Sequence, residues 1–170
     1  MVEKFLIDAN SFITPYRQYY AFDLVPTFWK ELSKRTESGT LILLDMVKAE
    51  IERGKDELAN WINKESGFAI CNHIVPEIIR KYQEILQYVQ TCGLYKEQAL
   101  QMWAANDVAD PWLIAAAAVN NYTLITVEVP SGGLSVKTPN SMAKIPDVAR
   151  TFGVKTENLY YMMRRLGIKI

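Results

Sequence analysis

Three short apolar runs, set apart by long helical stretches, constrain this chain more than anything else in its sequence. Residues 3–7 are rich in Phe, Leu and Ile and stop at Asp8-Ala9-Asn10-Ser11, a cluster of helix N-cap formers. That pattern predicts a strand feeding a helix. Residues 40–44 form a second apolar run ending at Asp45, and residues 122–127 form a third. Between the first two, residues 23–38 carry Leu24, Val25, Phe28, Trp29 and Leu32 at helical spacing, with Gly39 placed to end the helix. A further helix is expected over 45–54, and Asp110-Pro111 opens another that runs to Asn121, with proline in the first turn. Strands alternating with helices join by right-handed crossovers. The predicted class is therefore α/β, three layers deep, with a central, mostly parallel sheet and helices on both faces.

Residues 56–105 read as helical almost throughout, an added helical layer with Pro76 near one start and Cys92-Gly93 near one end. Residues 129–143 contain Pro130, Gly132, Gly133 and Pro139 and read as a loop. Residues 145–166 predict two short helices, with a final strand over 167–170. A length of 170 residues, 49% of them apolar, suits one domain over 1–170 with its own core. The first residues lack the basic-then-apolar layout of a secretory signal, and no apolar run approaches the roughly 20 residues that cross a bilayer. A cytoplasmic protein away from the membrane is expected, with Cys71 and Cys92 reduced. Nineteen basic and nineteen acidic residues cancel, so any nucleic-acid contact must use a local basic patch.

In such a sheet, ligands bind beyond the carboxyl ends of the strands. Asp8 ends the first strand, Glu50 lies in the helix after the second, Asp110 opens the helix before the third, and Glu128 follows the third. Each aspartate alone could be only a helix cap, as could Asp45. Glu50 is harder to explain that way, because it shares a stripe with Met46, Val47, Ile51 and Gly54 that should face the sheet. With no lysine or arginine seen at matching spacing, an ionised group there calls for a metal ion. Carboxylates gathered without His or Cys select Mg²⁺ or Mn²⁺, which suits phosphodiester hydrolysis.

Several segments carry a family likeness. Phe5-Leu6-Ile7-Asp8-Ala9-Asn10-Ser11-Phe12-Ile13 resembles the opening of PIN-domain proteins, and Val47-Lys48-Ala49-Glu50-Ile51 resembles their internal Glu motif. Residues 109–117, around Asp110-Pro111, resemble their second acidic helix start. Leu124-Ile125-Thr126-Val127-Glu128 is similar to their T-x-D strand end, with Glu in place of Asp. Lys144-Ile145-Pro146-Asp147-Val148, with Phe152-Gly153-Val154, resembles the tail of one bacterial and archaeal branch of uncharacterised PIN-like proteins. The resemblance implies a PIN-like fold and a Mg²⁺- or Mn²⁺-dependent endoribonuclease, often the toxin of a toxin–antitoxin pair. It implies Asp8, Glu50 and Asp110 as core metal ligands, Glu128 as a fourth, and Asn10 as a supporting partner. Single-stranded or structured RNA, an antitoxin protein and a second copy of the chain are the partners it implies.

Other signals point elsewhere or add detail. Residues 147–166 also read as a helix-turn-helix, with Arg164, Arg165 and Lys169 on phosphates, which would make the chain a DNA-binding regulator. Against this, Leu159, Tyr160, Met162 and Met163 leave that helix little polar face for reading bases. His73, two residues after Cys71, is expected at the surface or a helix start, since two such ligands fall short of a zinc site. Tyr16, Arg17, Tyr19 and Tyr20 form an aromatic and basic cluster suited either to stacking unpaired bases or to packing on the helices. Lys137 and Lys144, near Glu128, are candidates for RNA phosphates. No Gly-rich phosphate loop adjoins any strand, which excludes P-loop chemistry.

Overall fold

A computed structural model describes residues 1–64 and 67–170. Five parallel strands form one sheet in the order β3-β2-β1-β4-β5: β1 Phe5–Ile7, β2 Leu41–Leu44, β3 Ala69–Cys71, β4 Thr123–Ile125 and β5 Thr156–Glu157. Every residue of β1, β2 and β4 is buried. Successive strand side chains point to opposite faces, so this unbroken burial requires cover on both sides of the sheet. Helices provide it, and the α/β class is as the sequence predicts.

The first crossover holds α1 (Asn10–Thr14), a π-helical turn (Pro15–Tyr19) and α2 (Pro26–Thr36). The helix expected over 23–38 thus begins three residues late. Pro26 explains this: with no N–H and a ring that blocks the preceding turn, it fits a helix start but not an interior, and Leu24 is left exposed. Under these helices lies an aromatic cluster in which Phe22 stacks on Trp29 at 4.3 Å and Tyr16 leans on Phe22 at 5.6 Å.

The helical layer expected over 56–105 is corrected. It comprises α4 (Glu57–Lys64), α5 (Pro76–Thr91) and α6 (Glu97–Trp103), but also the edge strand β3; residues 65 and 66 lie outside the described residues. β3 is three residues long and only partly buried, too short to show a period-2 pattern. At the other end of the chain, residues 167–170 form no strand. The fifth strand is instead β5, between α8 (Ile145–Thr151) and α9 (Leu159–Leu166), where Thr126 donates its amide to the Glu157 carbonyl. A strand paired to β4 cannot serve as the turn of a helix-turn-helix. Met162 and Met163 of α9 are buried and Arg165 donates to Glu3 at 3.0 Å, so the DNA-reading alternative is not favoured.

The remaining helices are α3 (Asp45–Arg53) and α7 (Asp110–Asn120). Pro111 and residues 113–117 of α7 are buried on nearly all sides, with α5 and α8 packed against it and β4 beneath. Its alanines allow that close approach, and they fix the position of Asp110 at the helix head. Among the described residues, no helix is long and apolar enough to cross a membrane.

Candidate functional site

The chain builds β1, β2 and β3 outward in one direction, then returns to place β4 on the other side of β1. That reversal opens a crevice at the carboxyl ends of β1 and β4, the position where open parallel sheets bind ligands. Asp8 follows β1 directly and Thr126 follows β4. Asp110 reaches the crevice from α7, Glu128 from the loop after β4, and Glu50 from α3.

Asp8 is 5% exposed. Burial, then the charges of Asp110 and Glu128, push its pKa up to about 7; the Thr126 hydroxyl, donating at 3.2 Å, works the other way, and Glu50 adds to the rise. Asp110 is raised to about 6 by burial and then by Glu128 and Glu50. Glu50 is raised first by burial, with Arg53 opposing and Asp107 reinforcing. Burial also raises Glu128, opposed by the Ile145 amide and Lys144, while Asp147 adds to it. These four sequence-predicted acids therefore act on one another electrostatically. Among the described residues, no three His, Cys, Asp or Glu side chains are drawn in around one point at metal-holding distance.

The cap reading fails for the two aspartates. The N-caps of α1 and α7 are Ala9 and Ala109, and neither helix start receives a side-chain cap. Glu128 does take one such role: its Oε2 accepts the Ile145 amide of α8 at 2.7 Å, leaving the other oxygen outside that bond. Asp45 is more than a cap. Its carboxylate accepts the Met46 amide at 2.8 Å and also holds the ring of His73 at 2.8 Å, with Trp112 edge-on to the imidazole.

Sequence reasoning also missed some partners. Arg53 stands one turn after Glu50 and faces its charge, which corrects the expectation of no basic partner at matching spacing. Asp107, in the turn leading into α7, and Asp147, in the first turn of α8, extend the acidic surroundings. Asn10 is exposed, and the group that hydrogen-bonds Asp8 is Thr126, which also accepts the Glu128 amide at 3.2 Å. The T-x-E spacing was the available signal for Thr126. Arg17 and Lys137 are exposed; Lys144 lies near enough to Glu128 to offset its charge.

A cavity of about 520 Å³ lies elsewhere, at the amino ends of the strands beside Glu3, Lys4, Thr123 and Lys155. Glu3 is already satisfied there by Thr123, Tyr161 and Arg165. The uncompensated charge sits at the crevice, which is therefore the better candidate.

The fold and the crevice can be set beside known proteins. The chain belongs to the family described as Domain of unknown function (DUF4411), whose model matches residues 5–170. No curated protein matches it. Among solved structures, the chain is similar to one in the crystal structure of VapBC2 from Rickettsia felis bound to a DNA fragment from their promoter. The two share 16% identity over 91% of this chain and 97% of that one, with a TM-score of 0.55. At that identity the likeness concerns the fold, which is PIN-like.

Proposed function

We propose that this chain is a divalent-metal-dependent endoribonuclease. One observation carries the reading: acids from four separate segments converge on the sheet crevice, and none takes part in any ion pair within 4.0 Å among the described residues. Concentrated negative charge at a partly buried site is unfavourable unless a cation offsets it.

The donor set fits Mg²⁺ or Mn²⁺, since every candidate ligand is a hard carboxylate oxygen. Asp8, Glu50 and Asp110 would hold the ion, with Glu128 contributing through the oxygen not given to Ile145, and binding would have to draw these side chains in, since no three of them stand at metal-holding distance without it. Such an ion supplies the charge that activates a water nucleophile and stabilises the departing oxygen of a phosphodiester. The chain's own groups do the positioning. The Thr126 hydroxyl orients Asp8, and the same oxygen anchors the backbone at Glu128. Lys144, beside Glu128, supplies a positive charge for an RNA phosphate, and Lys137 extends it along the loop. Asn10 and Arg17, both exposed, would meet the RNA strand from the α1 side, whereas Tyr16 packs on Phe22.

The likeness to VapBC2 supports a toxin role beside an antitoxin partner; a cytoplasmic homodimer completes the reading. The test is direct. Purified protein should cut single-stranded RNA with Mg²⁺ or Mn²⁺ but not with EDTA, and Asp8→Asn and Asp110→Asn should each abolish cutting while circular dichroism stays native. Cleavage retained by both variants sinks the assignment.

A further inference from the structure

On the far side of Thr126 from the carboxylates lies a cleft of about 220 Å³, walled by Pro15, Tyr19, Tyr20, Val127, Asn158 and Tyr160. Its surface is aromatic and uncovered: Tyr19 is 65% exposed and Tyr160 54%. The other tyrosines of the α1 region are engaged in packing, Tyr16 on Phe22 and Tyr20 on Phe28 at 4.7 Å, so the free ring faces are those of Tyr19 and Tyr160. Large exposed aromatic faces grouped around a cleft mark a binding surface rather than a core.

Position and charge indicate the occupant. Thr126 lines the cleft while its hydroxyl donates to Asp8, so a ligand here sits one side chain from the acids. Arg164, one helical turn beyond Tyr160 on the same face of α9, is exposed and enters no ion pair among the described residues. A free guanidinium beside bare aromatic faces is the combination that tracks a single nucleic-acid strand, phosphate on the cation and bases on the rings. Asn158 adds a polar element. Its oxygen caps α9 at Tyr161, so what remains for a ligand is its amide donor.

We propose that this cleft takes one unpaired nucleobase of an RNA strand, stacked on Tyr160 and Tyr19, next to the phosphodiester at the carboxylates. The inference rests on the nuclease reading and deepens it, because it gives the single strand a fixed register at the carboxylates.

The test separates the two readings. Short single-stranded RNAs carrying 2-aminopurine at successive positions are titrated with the full chain in EDTA, so cleavage plays no part. The fluorescence should be quenched at one register. Tyr160→Ala should remove that quench and weaken binding about 5- to 150-fold, whereas Tyr160→Phe, which keeps the ring, should retain both. Unchanged melting of Tyr160→Ala shows that the fold is intact. A register-independent signal, or a quench that survives both Tyr160→Ala and Tyr19→Ala, overturns the base site. So does a wild-type dimer that Tyr160→Ala splits into monomers, since the cleft would then be a contact between copies. Register-specific quenching without any cutting in Mg²⁺ or Mn²⁺ overturns the nuclease reading instead and leaves a single-strand binding cleft.

Discussion

Replacing Asp8 by asparagine should stabilise the metal-free protein above neutral pH and do little in acid. The folded chain holds the Asp8 proton far more tightly than the unfolded chain, with a pKa of about 7 against an ordinary 3.8. That stabilising contribution is complete below the unfolded value and is lost as pH rises through about 7. A displacement of this size corresponds to about 4 kcal/mol, at 1.36 kcal/mol per pKa unit. Asparagine keeps an oxygen for the Thr126 hydroxyl and carries no charge, so it escapes most of this loss. Allowing for imperfect mimicry, a gain of about 2–4 kcal/mol at pH 8 should raise Tm by roughly 5–10 °C for a chain of this length. Thermal unfolding in EDTA, followed by circular dichroism from pH 4.5 to 8.5, measures it. The two Tm curves should converge toward pH 4.5 and separate through neutrality. Parallel curves would refute the crowding of acids in the crevice.

Glu50→Gln should raise Tm in EDTA near pH 7 by a smaller margin, and saturating Mn²⁺ should reverse the order of the two proteins; differential scanning fluorimetry with and without the metal reads both. Thr126→Val should cost about 1–2 kcal/mol in urea unfolding and push the Asp8 pKa higher still, because the hydroxyl that favours the carboxylate is gone. Ala116→Val should overpack α7 and destabilise by about 1–3 kcal/mol, with a larger fractional loss of cleavage than of folded protein as Asp110 is displaced. Unchanged cleavage per folded molecule would show that the helix tolerates the bulk elsewhere.

The three buried strands were legible because each signal is local. An apolar run stops, a carboxylate follows, and a helical period begins, as at Ile7-Asp8 and Leu44-Asp45. What escaped depends on partners far away in the chain. Ala69–Cys71 becomes a strand only because β2 offers it hydrogen bonds, and polar, two-residue β5 exists only because β4 has a free edge. The Thr126 contact with Asp8 spans 118 residues, and the hold of Asp45 on His73 spans 28. Arg53 was one turn from Glu50 and was readable. The apolar stripe around Glu50 drew attention to a buried face, whereas that side chain is only half-buried and within reach of a surface arginine.

The bond from the Ile145 amide to Glu128 ties off the excursion over residues 129–144 at its neck. Ser131 is pinned to Asp147, and Asn140 to the backbone at Leu94 and Lys96, while around Gly132 and Gly133 a side chain would meet nothing within 4 Å. Extra length inserted at those glycines adds little closure entropy, roughly 0.6 kcal/mol per doubling. That tip is consequently the spot for a fluorophore or an affinity tag, able to report on a docking partner while the neck keeps the tether from dragging on Glu128.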